Sequence, residues 1–185
     1  MNTTLTSTLR VYADDDGAKA LIDTTDRAEI ARILAAEGVT FERWDASAPL
    51  TAESDPEAIM AAYASDIQRL KDAHGYTTVD VIRVGASTPN IPALREKFLS
   101  EHTHSEDEVR FFVEGSASFY LRMRGKVYQT ICTRGDLLSV PANTTHWFDM
   151  GPSPEFAAIR LFVNPEGWVA NYTGDPIASR FPKYE

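Results

Sequence analysis

The sequence predicts a mainly β chain, folded as a barrel or sandwich, with a few flanking α-helices toward its N-terminal end. Three observations carry that reading. From Thr78 onward, short runs rich in β-branched and aromatic residues alternate with turn signals at even spacing. Before about residue 75, apolar residues recur instead at helical spacing. The length of 185 residues, 43% apolar without counting glycine, suits a single domain with a sizeable core. The expected layout is a helix-rich part over 1–77 packing on the barrel, a barrel core over 78–170 and a tail over 171–185.

Thr8–Tyr12 reads as a short strand. Asp26, with Glu29 three residues on, is a capping-box-like start; Ile30, Ile33 and Leu34 then form a stripe, and Gly38 stops the helix. Val39–Trp44 reads as another short strand. Asp55 suits an N-cap and Pro56 the first helical position. Ile59, Tyr63, Ile67 and Leu70 line one face of that helix, which Gly75 ends. Val79–Val84 reads as a strand, and Pro89 and Pro92 punctuate the loop after it. Glu108–Val113 is a strand ending at Glu114-Gly115. Ser116–Met123 is the next, with Ala117, Phe119, Leu121 and Met123 on one face. Arg124-Gly125 turns into Lys126–Cys132, and Arg134-Gly135-Asp136 turns into Leu137–Val140. His146–Met150 and Phe156–Val163 complete the set, and the tail from Asp175 is expected to dock as a loop.

Charge and composition narrow the function. Lys and Arg number 18 against 27 Asp and Glu, a net charge of −9, with no basic face for nucleic acid. Apolar runs fall far short of the roughly 20 residues of a membrane span. Met1 to Tyr12 is polar and Thr-rich, without the apolar core of a signal peptide. The single cysteine, Cys132, has no internal partner and reads as a small buried apolar residue. A cytoplasmic monomer without nucleic-acid or membrane partners is the expectation. There is no Gly-rich phosphate loop and no nucleophile elbow. His74, beside a helix-ending glycine, reads as structural, and Asp14-Asp15-Asp16 and Glu106-Asp107 as solvated.

The chemistry gathers around three of the four histidines. His102 and His104 form His-x-His, Glu108 follows, and His146 lies beyond a Gly135-Asp136…Pro141 turn. Imidazole and carboxylate are ligands for first-row divalent metals. On a helix, positions i and i+2 diverge by roughly 200°; on a strand they share a face, so a shared metal requires extended backbone. Fully extended chain would put Glu108 roughly 13 Å from His104, at about 3.3 Å per residue, so the chain must bend at Ser105-Glu106-Asp107. Parity then places Phe98 and Ser100 with the histidines, Arg110 and Phe112 with Glu108, and Phe148 with His146. Arg110 in such a cavity suits an anionic oxygen, and the phenylalanines shape an apolar wall. Three histidines and one carboxylate leave two positions open on an octahedral ion, suited to a bidentate substrate or oxygen chemistry.

These residues carry a resemblance. His102-x-His104-x₃-Glu108-x₆-Gly115 resembles the first cupin motif, and Gly135-x₅-Pro141-x-Asn143-x₂-His146 the second. Glu96 stands where the first motif usually opens with glycine. Asn143 stands at a usual glycine of the second, and Met150 at its terminal Asn; Asn tolerates the left-handed backbone, so the turn survives. The run from Leu94 to Gly115, with Gly135-Asp136-Leu137 and Pro141 to Phe148, further resembles the acireductone dioxygenases.

The resemblance implies a cupin double-sheet jelly roll, with His102, His104, Glu108 and His146 holding one Fe²⁺ or Ni²⁺. It implies O₂-dependent cleavage of the acireductone 1,2-dihydroxy-3-oxo-5-methylthiopentene in methionine salvage. Fe²⁺ would give formate and the 2-keto acid precursor of methionine; Ni²⁺ would give formate, carbon monoxide and 3-methylthiopropionate. Arg110 would be catalytic and would steady the substrate's anionic oxygens. Phe98, Phe148 and Trp168 would line the substrate pocket, Trp168 on resemblance alone. Glu101 and Asp107 are candidates for orienting the histidines. The alternatives are another metal-dependent cupin enzyme (an isomerase or a diketone-cleaving dioxygenase) and a non-catalytic cupin ligand-binding module, against which Arg110 and the intact ligand set argue.

Overall fold

A computed structural model describes residues 5–51 and 53–185; Met1–Thr4 of the polar start lie outside the described residues. Among the described residues, eleven strands form two antiparallel sheets that share one long strand. One sheet runs β2 (Asp16–Thr24), β1 (Thr8–Ala13), β7 (Lys126–Thr133), β6 (Glu108–Met123), β9 (Thr145–Asp149), β5 (His102–Thr103), β11 (Asn171–Tyr172). The other runs β3 (Thr40–Arg43), β8 (Asp136–Val140), β6, β10 (Phe156–Phe162), β4 (Thr78–Val84). The helices are α1 (Arg27–Ala35), α2 (Pro56–Ala62), α3 (Ala64–His74) and α4 (Ile91–Leu99). This is the mainly β barrel with flanking helices that the spacing predicts.

The shared strand corrects one expectation. Glu114-Gly115 does not end a strand: β6 continues through it for 16 residues. Its first half pairs with β8 and β10, its second with β7 and β9. At the junction the ladder to β10 shifts register, and Gly115 takes φ 68°. A Cβ there would collide with the Glu155 carbonyl. The glycine thus marks a bulge that hands one strand from sheet to sheet.

Three further departures have local causes. The helix expected from Asp55 to Gly75 breaks at Tyr63 (φ −112°, ψ 22°), yet Ile59, Tyr63, Ile67 and Leu70 remain one buried stripe. The loop expected around Pro89 and Pro92 contains α4, because Pro92 falls in the first turn, where a missing N–H costs nothing. The edge strand β2, which the sequence reading leaves unassigned, buries none of its residues, so its alternation is faint.

Most strands are covered on both faces, which is why they read as near-continuous apolar runs. On β6, Phe112, Phe119 and Leu121 face the barrel interior with Leu9, Val11, Phe148 and Phe156. Val109, Phe111 and Val113 face outward onto Ile59, Tyr63 and Ile67 of the helices. On the other sheet, Tyr12, Tyr120 and Trp147 lie under Ile177 and Phe181, so the tail docks as expected, with a short 3₁₀ turn at Ile177–Arg180. Each fully buried phenylalanine contributes roughly 2–3 kcal/mol. Among the described residues no helix is long and apolar enough to cross a membrane.

Candidate metal centre

The barrel brings the separated motifs to one buried point. His102 pairs directly with His146 across β5 and β9. His104 follows just beyond β5, and Glu108 opens β6 after the bend at 105–107. The side-chain nitrogens of His102, His104 and His146 lie within 4.8 Å of one another. Glu108 Oε2 lies 3.1 Å from His146 Nε2 and 3.4 Å from His104 Nε2. Asn143 takes φ 62°, the left-handed turn expected of it, and its N–H donates to the His104 carbonyl at 2.8 Å.

The hydrogen bonds fix which atoms face the centre. His102 Nδ1 donates to the Ser100 carbonyl (2.7 Å), His104 Nδ1 to that of Val169 (3.0 Å) and His146 Nδ1 to that of Thr144 (2.8 Å). A carbonyl only accepts, so each proton sits on Nδ1 and each Nε2 presents a lone pair. Burial, reinforced by His146, lowers the His102 pKa to about 4, and burial lowers that of His104 as well; these rings stay neutral near pH 7. Burial is the largest single influence on the Glu108 carboxyl and pushes it up, but the Arg110 guanidinium, together with His146 and His104, outweighs it and holds the group well below the usual carboxylate range. Glu108 Oε2 is fully buried and accepts no hydrogen bond. An anionic oxygen and three imidazole lone pairs therefore converge without a donor among them. A divalent cation satisfies all four, so the donor set fits one.

Arg110 faces the same cavity, as parity requires, but its first partner is Glu108. Nε donates to Oε1 at 2.6 Å, and NH2 lies 2.5 Å from the same oxygen. Its guanidinium sits 4.8 Å from the Phe148 ring centre and 5.0 Å from that of Phe119. NH1, also fully buried, has no partner. One edge of the arginine thus steadies Glu108 while a free N–H remains for an anion.

The surrounding cavity measures about 350 Å³, and Phe98, Phe148 and Trp168 all line it. Phe98 arrives by a different route from the one parity supposed: it comes from α4 and meets Phe148 edge-on at 5.6 Å. Ser100, expected to face the cavity, caps α4 with an exposed side chain, and only its carbonyl reaches His102. Phe112 packs deeper, against Phe119 and Phe156, and does not line the cavity.

The acidic candidates also act elsewhere. Glu101 accepts from Thr173 Oγ1 at 2.7 Å, and Asp107 from the Ala142 N–H at 2.8 Å, so each ties down a neighbouring loop and not a histidine ring. Glu106 is not merely solvated: it accepts from the N–H groups of Val163 and Asn164 and anchors the turn that carries Trp168.

Sequence reasoning missed Lys97, Arg160, Phe162, Val169 and Tyr172, which also line the cavity. Arg160 and Phe162 share the β10 face of Phe156 and Ala158, and Arg160 sits opposite Arg110 in register. Extending the parity rule to that strand would have found both. Lys97 lay hidden with the helix that carries it, and no periodicity reaches Val169 or Tyr172.

Two antiparallel sheets joined through one strand, with His-x-His-x₃-Glu and a distant His meeting inside them, place the chain among the cupins. Within that class the match is specific. A model of the ARD/ARD' family matches residues 8–170, and the chain belongs to that family. It is 58% identical over 177 residues to an acireductone dioxygenase of Parvibaculum lavamentivorans, covering 96% of each chain. It is 51% identical over 179 residues to that of Hahella chejuensis, covering 97% of this chain and 96% of the other. In structure it is similar to acireductone dioxygenase from Bacillus anthracis with a cadmium ion in its active centre. That match has TM-score 0.78 and 32% identity, covering 90% of this chain and 98% of that one.

Proposed function

We propose that this chain is a metal-dependent dioxygenase that cleaves 1,2-dihydroxy-3-oxo-5-methylthiopentene with O₂, in methionine salvage. The observation that carries the reading is the convergence of three Nε2 lone pairs and the unpartnered Glu108 Oε2 beside an unpartnered Arg110 NH1. His102, His104, Glu108 and His146 hold one Fe²⁺ or Ni²⁺. When bound, the ion supplies Lewis acidity and a template for two substrate oxygens. Arg110 NH1 donates to an anionic oxygen of the ene-diol, and its other edge keeps Glu108 ionised and aimed. Phe98, Phe148 and Trp168 enclose the methylthio tail and exclude water. The Fe²⁺ form yields 4-methylthio-2-oxobutanoate and formate; the Ni²⁺ form yields 3-methylthiopropionate, carbon monoxide and formate. The protein works as a cytoplasmic monomer.

The test is metal-resolved turnover. The chain is stripped, reloaded separately with each metal and given the acireductone under O₂, with carbon monoxide read in the headspace and keto acid in solution. Keto acid from the iron form and carbon monoxide from the nickel form are expected. Substrate loss no faster than in the metal-free control, with metal bound, would overturn the reading.

A further inference from the structure

β9 serves two sides of the molecule. His146 and Phe148 line the cavity, while Trp147 packs on the opposite face beneath the tail. Asp149, next along the strand, is completely buried. Its carboxylate takes a two-pronged bond from Arg95 of α4, Nε to Oδ1 at 2.7 Å and NH2 to Oδ2 at 3.1 Å. The N–H groups of Gly151 and Tyr184 donate to the same carboxylate, each at 2.9 Å. Arg95 NH2 also donates to the Tyr184 carbonyl at 3.0 Å. The tail is held there independently: Tyr120 OH donates to the Pro182 carbonyl, and the Ser116 and Tyr184 hydroxyls pair.

One planar arginine therefore joins β9, α4 and the tail. α4 otherwise rests on partly buried contacts, Ile91, Leu94 and Phe98 against the barrel core and Leu99 against the cluster beneath the tail. None of its residues is buried, and its N-cap makes no side-chain bond. Phe98 lies three residues beyond Arg95, on the same side of the helix, and its ring meets Phe148 at the cavity wall. The geometry points to Arg95 as a positioning residue: through Asp149, and braced by Tyr184, it sets α4 so that Phe98 closes the apolar wall of the cavity. This rests on the cavity being the acireductone site.

An apolar wall holds ground state and transition state alike, so its loosening raises KM and spares kcat. The experiment uses the full chain carrying Arg95→Met and, separately, a chain stopped after Lys183, each loaded with Ni²⁺. In both, KM rises about tenfold, the scale of losing one apolar contact surface, while kcat stays within about twofold. Metal content stays at the wild-type value. Arg95→Lys recovers only part of the loss, because an ammonium lacks the two-pronged fork. In a Phe98→Ala background, Arg95→Met adds nothing further to KM. In the metal-free chain, Arg95→Met speeds amide hydrogen exchange over 91–99 about tenfold.

A wild-type KM in both variants overturns the proposal, as does a KM increase that is the same with and without Phe98. If the wild-type chain turns over no acireductone, the function reading fails instead. Exchange then decides alone: faster exchange over 91–99 supports the clamp, and unchanged exchange overturns it.

Discussion

Two buried carboxylates at opposite ends of β8 make opposite use of burial. Asp136, at its start, is fully buried and fully supplied with donors. Ser7 Oγ and the Thr133 N–H reach Oδ2 at 2.5 and 2.8 Å, and Arg27 reaches Oδ1 at 2.9 Å, with Arg43 at 3.5 Å. Glu108, paired with Val140 at the far end, is as deeply buried, yet only Oε1 is supplied, by Arg110. An unsatisfied buried oxygen costs roughly 1–3 kcal/mol, more when charged. A fold that saturates one carboxylate and leaves the other half-bare reserves the bare oxygen for something else. Depth therefore does not tell the two acids apart; the inventory of donors does.

The sharpest way to break this contrast is to neutralise each acid in turn. Glu108→Gln should abolish turnover and weaken metal retention by more than about a hundredfold, beyond the usual cost of losing a mere outer partner. Metal per chain and acireductone loss check this; full metal content would sink the assignment. Arg110→Met should keep the metal and lower turnover roughly 10²–10³-fold, the scale of losing one preorganised donor. A steady-state assay of the Ni²⁺ form reads it, and unchanged kinetics would mean that NH1 never meets substrate.

Asp136→Asn should do the reverse of Glu108→Gln. It weakens the acceptor for the buried Ser7 hydroxyl and Thr133 N–H, while Arg27 and Arg43 stay open to water, and should cost roughly 1–3 kcal/mol of stability while leaving turnover per folded, loaded chain unchanged. Denaturant unfolding beside activity checks both halves. Acid should expose the histidine side of the contrast. His102 has its folded pKa lowered to about 4 from 6.5, so the unfolded chain binds its proton first. The resulting stability is present above about pH 6.5 and fades as pH falls toward 4, by roughly 3 kcal/mol in the metal-free protein. Unfolding curves between pH 7 and 4, with His102→Asn as the flatter control, measure it. The smallest effect belongs to Thr133→Val, which removes one of two hydroxyl donors to Asp136 and should cost about 1 kcal/mol with no change in activity.

How much of this the sequence disclosed depended on how local each signal was. His102 and His104 were legible because alternation on extended backbone is a two-residue rule, whereas Asn143 was found through its place in the second cupin-like motif, where its tolerance of the left-handed backbone keeps the turn. Arg110 was placed on the right face, but its grip on Glu108 needs the actual separation of two neighbours on β6. Phe98 was identified by extending strand parity into what is a helix, so the residue holds while the argument for it does not. α4 stayed hidden because proline signals both a loop and a first helical turn. Arg160 and Phe162 were readable from β10 and simply not read, whereas Tyr172 reaches the cavity through a two-residue strand that leaves no pattern.

The three imidazoles are steered by the carbonyls of Ser100, Thr144 and Val169, not by side chains. A carbonyl belongs to every amino acid, so the genetic alphabet has almost no letter with which to delete it. In a saturation library these three positions should accept many replacements, although each sits within hydrogen-bond reach of a histidine. The frame that aims the centre is thereby written in the one part of the chain that ordinary sequence drift leaves untouched.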